Sequence, residues 1–344
     1  MSVLKLDDLL APFRNAAGRS RQQLLGVESE KFGILTETMS PVSYDGERCG
    51  ILNLFDVLCQ KRGYRALRET ASGPPIAIYK GDGLARQSIT LEPGAQLELS
   101  GAALDNVHQI EEEMAQHLAD LAPASRACRV QWLSSGYHPI ATQAQLPWVP
   151  KQRYSIMREY FPSVGSRGLD MMRRTGTVQV NLDYHSEEDA MRKLRVALKL
   201  APIITALFAA SPFAEGKVTG NKSERARVWL DTDRYRTGLL PALQRTGARF
   251  VDYVNWALDV PMYMFKRHGQ AVANTGQTFR SFWQDGYQQH RATAADWEMH
   301  LATMFPEARL KTTLELRSAD AQPNRYYCCL PALCAGVFYD QHAL

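Results

Sequence analysis

The sequence predicts an α+β protein, and three observations carry that expectation. Short segments alternate apolar and polar residues at every second position, as half-buried strands do. Gly and Pro punctuate these segments closely enough for antiparallel connections. The helical stretches fall irregularly among them, without the strand–helix rhythm of a parallel sheet, and no internal repeat is visible. With 344 residues there is ample length to bury a core, and one compact domain spanning 1–344 is expected.

In chain order, residues 1–24 read as an amphipathic helix followed by a basic turn, and LLGVESEKFGIL as a strand. A helix is expected over Gly50 to Tyr64. From Ile76 to Ser100, AIYKG, SITLEPG and AQLELSG read as antiparallel strands joined by tight turns. GAALDNVHQIEEEMAQHLADLA has a helical apolar period. VQWLSSGYHP and TGTVQVNLDYH return to strand character: Val178, Val180 and Leu182 alternate with Gln179, Asn181 and Asp183. Ser186 caps a buried helix that opens with acidic residues and includes the apolar run Leu200 to Ala210. ARVWLDTD, DVPMYMF and TTLELRSAD close the set of strand candidates.

Composition is that of an ordinary globular chain, 45% hydrophobic and 22% charged, with a net charge of +4. The 40 basic residues form no long run, so no nucleic-acid partner is expected. The start lacks the apolar core of a signal peptide, and no stretch of about eighteen apolar residues suggests a membrane span. The six cysteines show no paired CxxC spacing, and a chain this long needs no disulfide staples. Free thiols and a cytoplasmic location are the expectation.

The chemistry lies in carboxylates on predicted strands. Glu28 and Glu30 share a face, as do Gln96 and Glu98, with Glu92 across a Pro-Gly turn, and Glu315 and Arg317. Magnesium prefers hard oxygen ligands, so carboxylates converging from different strands would suit it. The residues alone leave a second reading open, the solvated polar face of an antiparallel sheet. Arg153, Arg174, Arg225 and Arg317 lie beside apolar or aromatic segments and fit bidentate binding of carboxylate or phosphate. A phosphate-binding P-loop, a Rossmann fingerprint, an HExxH zinc motif and a GxSxG elbow are all missing. His138 reads as structural, since no carboxylate or base partner is placed beside it.

A string of longer motifs occurs in order: GVESEKFG, LEPGAQLELSG, PKQRYSIMREYFP, MMRRTGTVQVNLDY, SPFAEGK, RVWLDTDRYRTG, YVNWALDVPMYMF, WEMHLATMFPEARLKTTLELRSAD and LPALCAGVFYDQHAL. Together they resemble the plant-type glutamate–cysteine ligases of plants and many bacteria, from about residue 20 onward. The resemblance implies a glutamine synthetase-like carboxylate–amine ligase fold, a curved antiparallel sheet around the active site flanked by helices. It implies that ATP phosphorylates the γ-carboxylate of glutamate and that the cysteine amine attacks the acyl phosphate. The product would be γ-glutamylcysteine, made in the first step of glutathione synthesis. Mg²⁺ is the implied metal, with Mn²⁺ as an alternative.

By motif position, the implied metal ligands are Glu28, Glu30, Glu92, Glu98, Gln179 and Glu315. Lys31 and Arg317 would contact ATP, and Arg317 and Arg174 would stabilise the transferred phosphoryl group. Arg153, Thr175, Thr177, Arg225, Trp229 and Tyr263 are the implied substrate-binding set. Two departures stand out: Gly176 replaces a cysteine of the plant enzymes, and the chain stops at YDQHAL where the family continues with a helical stretch. The cysteines of the plant regulatory disulfides have no clear counterparts, so redox control by that route is not expected. Glutamate, cysteine and ATP are the expected partners of a monomer or homodimer. Two other readings stay open: a ligase for another amine acceptor, and a truncated, inactive binding or regulatory relative.

Overall fold

The computed structural model describes residues 4–18, 23–46 and 49–344. Helix α1 (Leu6–Ala17) buries Leu9, Leu10 and Phe13 and is the amphipathic helix expected; most of the basic turn predicted after it lies outside the described residues. Strand β1 (Leu25–Leu35) carries GVESEKFG. Helix α2 (Ile51–Arg62) stops at Gly63, whose φ of 74° is the left-handed conformation glycine adopts without strain. Strands β2 (Arg65–Arg68), β3 (Pro75–Lys80), β4 (Gln87–Leu91) and β5 (Leu97–Ser100) then meander back to β1. Helix α3 (Val107–Ala127) begins at Asn106, whose side-chain oxygen accepts from the His108 and Gln109 amides.

Strand β6 (Val130–Leu133) extends along the second half of β1. Short helices α4 (Gln152–Tyr160) and α5 (Gly168–Arg174) lead into β7 (Val178–Leu182). Helix α6 (Glu187–Leu207) starts at Ser186 as predicted, its hydroxyl accepting from the Asp189 amide at 3.0 Å. The hairpin β8 (Phe213–Ala214) and β9 (Lys217–Val218) precedes α7 (Glu224–Leu230). Next come β10 (Thr237–Gly238), α8 (Phe250–Leu258), and the hairpin β11 (Met264–Arg267) and β12 (Gln270–Ala273). Helices α9 (Phe279–Asp285) and α10 (Ala294–Leu301) follow. The described elements close with β13 (Phe305–Pro306), β14 (Ala308–Leu310), β15 (Leu314–Leu316) and α11 (Cys329–Phe338).

The main sheet runs β14-β15-β7-β1-β5-β4-β3-β2, and every pairing in it is antiparallel. One face is apolar. Val27, Leu99, Val180, Leu182, Leu314 and Leu316 pack there against Met114 of α3, Leu194 and Leu198 of α6, Tyr253 of α8 and Phe338 of α11. Each such side chain contributes roughly 1.5–3 kcal/mol of transfer free energy, which fixes the sheet's register face by face. A second apolar cluster joins α2, β3 and β4 to α4, α5, Val228 and Tyr263. The polar face of the sheet opens beside that cluster.

Three sequence expectations are corrected. ARVWL is helix α7 rather than strand, because the Ser223 hydroxyl accepts from the Ala226 amide and Glu224 fills the first turn. In DVPMYMF, an isolated bridge joins Pro261 to Thr278 and the regular strand begins only at Met264. The thiols are not all free: Cys49 and Cys128 form a disulfide with Cα atoms 5.2 Å apart, tying the entrance of α2 to the end of α3. Their separation of 79 residues leaves no spacing signal. Among the described residues, no helix is long and apolar enough to cross a membrane.

Candidate active site

The register of β1 brings the predicted carboxylates together. Glu30 stands directly opposite Glu98 on β5, and Glu28 opposite Gln179 on β7. Glu315 on β15 pairs with Asn181, two residues along the same face of β7. Glu92 reaches the cluster through a tight turn: its own N–H bonds the Gln96 carbonyl, while its carbonyl accepts from Ala95. Gly94 in that turn has no room for a side chain, since a Cβ would lie 2.6 Å from the Arg173 carbonyl oxygen. Glu30, Glu92 and Glu98 each place a carboxylate oxygen within 4.8 Å of the others.

Three carboxylates this close repel one another. Burial and the neighbouring Glu92 and Glu98 push the Glu30 carboxyl well above its ordinary value. Burial and the charges of Glu315 and Glu98 push Glu28 up to about 7. Glu98 is also raised, by burial and Glu92, although it accepts hydrogen bonds from the Thr90 and Ser100 hydroxyls. An excess of buried carboxylate oxygen is the donor set a hard divalent cation requires.

Glu315 is different. Burial alone would raise it, but Arg309, Lys311 and Arg317 hold its carboxyl well below the usual range. Arg309 grips both oxygens, and Arg317 donates to one of them at 3.1 Å. In this arrangement the residue expected to bind metal is instead enclosed by three cations, fully buried beneath the site.

Above the sheet is a cavity of about 280 Å³. Its polar floor contains Glu28, Glu30, Glu92, Gln96, Glu98 and Gln179, with Arg309, Lys311 and Arg317 at one side. Helix α4 contributes Arg153, Tyr154 and Met157 to the wall. Met171, Met172, Thr175 and Thr177 continue it, and α7 adds Arg225 and Trp229, the indole lying against Phe305 at 5.9 Å between ring centroids. Both threonine hydroxyl protons are committed, Thr175 to the Met171 carbonyl and Thr177 to the Ala319 carbonyl, so toward the cavity these side chains can only accept. Arg225 donates to the Arg317 carbonyl and leaves its Nε unpartnered.

Three predicted positions lie elsewhere. Lys31 follows Glu30 and by strand alternation points to the opposite face, where its ammonium donates to the Ser134 hydroxyl and the Asn324 side chain. Burial pushes that ammonium down to about 8, and it does not reach the cavity. Arg174 pairs with Asp170 and Glu215 and lies over the Tyr137 ring, outside the lining. Tyr263 is packed behind the wall against Tyr160, Phe161 and the Arg236 guanidinium. His138, read as structural, lies outside the cavity lining, its Nδ1 accepting from the Ile140 and Ala141 amides.

Sequence reasoning passed over Arg309 and Lys311. Their two-residue spacing in ARLKTTLELR was the available signal, because it puts both on the face that carries Glu315 and Arg317.

Residues 24–344 match the family model described as glutamate-cysteine ligase family 2. The chloroplastic glutamate–cysteine ligase of Brassica juncea is 43% identical over 344 residues, covering 99% of this chain and 65% of that protein. The chloroplastic glutamate–cysteine ligase B of Oryza sativa subsp. japonica is 42% identical, with 99% and 67% covered. The chain thus spans about two thirds of the length of these curated relatives. Among solved structures, the glutamate–cysteine ligase of Francisella tularensis in complex with AMP is similar at a TM-score of 0.49 and 12% identity, covering 88% of this chain and 62% of that one.

Proposed function

The chain belongs to glutamate–cysteine ligase family 2, and from that premise we propose that it joins the γ-carboxylate of glutamate to the amine of cysteine at the expense of ATP. The observation that carries this reading is the convergence of Glu30, Glu92 and Glu98 in one cavity with Arg153, Arg225, Arg309 and Arg317. Such a site gathers anions. A triphosphate and an amino-acid carboxylate repel each other in water, and bringing them into contact needs fixed positive charge on the protein.

Bound at Glu30, Glu92 and Glu98, with Glu28 and Gln179 beside them, Mg²⁺ would supply further positive charge to the phosphates and the transferred group. The protein's own groups do the rest. Arg153 and Arg225, on separate walls, receive substrate carboxylates in bidentate fashion. Arg309, Lys311 and Arg317 lie to one side of the floor and offset phosphate charge. Glu315 holds these cations in place from beneath the floor. Thr175 and Thr177 accept from the ammonium group of an amino acid. The methionines and Trp229 narrow the space around the reacting carboxyl and exclude water that would hydrolyse the acyl phosphate.

The test is ADP release by purified protein given ATP, Mg²⁺, glutamate and a panel of amines. Release that requires both glutamate and cysteine is expected. Release with another amine but not with cysteine selects a different acceptor, and no release from folded protein overturns the ligase reading.

A further inference from the structure

We infer that Asp320 is a positioning residue for Arg225, holding the first turn of α7 against the cavity through two serine hydroxyls. Asp320 is 1% exposed. One of its carboxylate oxygens accepts from the Ala210 amide at 2.8 Å and the Ser211 hydroxyl at 2.6 Å. The other accepts from the Ser223 hydroxyl at 2.8 Å. Each hydroxyl has a single proton, and here both protons are spent on the same carboxylate.

The serine oxygens are thereby left as acceptors, turned toward α7. Ser211 Oγ accepts from the Arg225 amide at 3.3 Å, and Ser223 Oγ from the Ala226 amide at 3.0 Å. These are amides that the start of a helix leaves without backbone partners. An ionised carboxylate only accepts, so it dictates the orientation of both hydroxyls. An asparagine would present an NH₂ donor to one of them and leave that hydroxyl proton without its acceptor. The relay ends on a functional side chain, since Arg225 lines the cavity two residues after the helix cap.

The surroundings are built for this clamp. Gly136 faces Asp320 so closely that a Cβ there would lie 2.1 Å from its Cγ and 2.6 Å from its Cβ, a clash that must displace the Asp320 side chain or the backbone beside it. Asp320 also bridges Thr177, and the next amide, Ala321, bonds the Gly176 carbonyl. Asp320 thus ties the α7 wall of the cavity through its carboxylate and the threonine wall through its backbone.

The kinetic test rests on the ligase reading, in which Arg225 receives a glutamate carboxylate. Asp320→Asn should raise the KM for glutamate about tenfold with kcat changed less than about twofold, because a displaced carboxylate anchor weakens binding equally before and during reaction. In an Arg225→Gln background the same substitution should raise KM by less than about twofold further, as coupled residues are not additive. Gly136→Ala should reproduce the Asp320→Asn signature. An undiminished effect in the Arg225→Gln background overturns the inference. If Asp320→Asn does not fold, Ser211→Ala and Ser223→Ala take its place, and an unchanged KM in both also overturns it. Should the wild type release no ADP with any amine, the ligase reading fails on its own. The clamp is then read by hydrogen exchange at the Arg225 and Ala226 amides, which Asp320→Asn or the two serine variants should accelerate about tenfold; unchanged exchange overturns it.

Discussion

At the scale of single residues, the site holds two kinds of glutamate that the same strand alternation could not tell apart. Glu30 and Glu98 are each 8% exposed and crowded by like charge, whereas Glu315 is satisfied by Arg309, Lys311 and Arg317. Substitution should separate them. Glu30→Gln is expected to lower turnover by about a thousandfold or more, since an amide cannot replace a charged metal ligand. The same change removes one of three repelling charges, so without metal the thermal midpoint should rise, and added Mg²⁺ should no longer shift it. Glu315→Gln should instead lower the midpoint, because it leaves Arg309 buried without its bidentate partner. Thermal melts with and without Mg²⁺ check both directions, and matching shifts for the two variants would contradict the distinction. Lys31 offers a third test. Lys31→Met should cost at most about 0.5–1.5 kcal/mol of stability, the net worth of a hydrogen bond, because Asn324 is exposed and Ser134 half-buried and water can replace the ammonium. The KM for ATP should stay within about twofold, whereas a phosphate contact would raise it far more.

At the scale of elements, two features hold segments that are distant in sequence. The Cys49–Cys128 disulfide closes a loop of 79 residues that contains α2, the β2–β5 meander and all of α3. Removing it with Cys49→Ser should cost about 2–4 kcal/mol, read as a lower denaturation midpoint that reductant reproduces in the wild type. No loss in either experiment would mean that the two sulfurs are not bonded in solution. The other feature is the Glu92–Gln96 turn, where Gly94 packs against the Arg173 carbonyl. How much of this was legible beforehand follows from the physics of each element. Period-two alternation exposed β1, β5 and β7, and a capping serine exposed α6. In ARVWL, the apolar Val, Trp and Leu masked a helix whose start is set by the Ser223 cap, and the ATP contact that the resemblance implies for Lys31 conflicts with its strand parity with Glu30. The disulfide and the pairing of Glu315 with Arg309 depend on contacts made only after the chain has folded.

At the scale of the whole molecule, the polar face of the sheet makes the metal-free protein a strained object whose stability depends on pH. Glu28, with its carboxyl near 7, and Glu30 and Glu98, raised in the same direction, hold protons in the folded chain that the unfolded chain has already released. Stability rises with pH only where the unfolded state binds more protons, so here the sign is reversed. The contribution of these three groups is greatest below their ordinary value of 4.5 and declines as the pH rises through it toward 7 and above. Glu315 acts oppositely, but its contribution is lost only as the pH falls below the usual carboxylate range, outside that window. A divalent cation held by these carboxylates, as proposed, would reverse the decline, because it would bind them deprotonated and displace their protons. Stabilisation by a ligand grows with concentration over Kd, reaching about 2.7 kcal/mol at a hundredfold excess. Mg²⁺ at a fixed millimolar concentration should therefore raise the thermal midpoint by several degrees at pH 8 and by much less at pH 5.5, where protons compete for the same oxygens. Calorimetry in buffers of different ionisation enthalpy should show proton release on metal binding near pH 6.5. A midpoint shift that is the same at both pH values, with no proton release, would mean that the cation binds away from Glu28, Glu30 and Glu98.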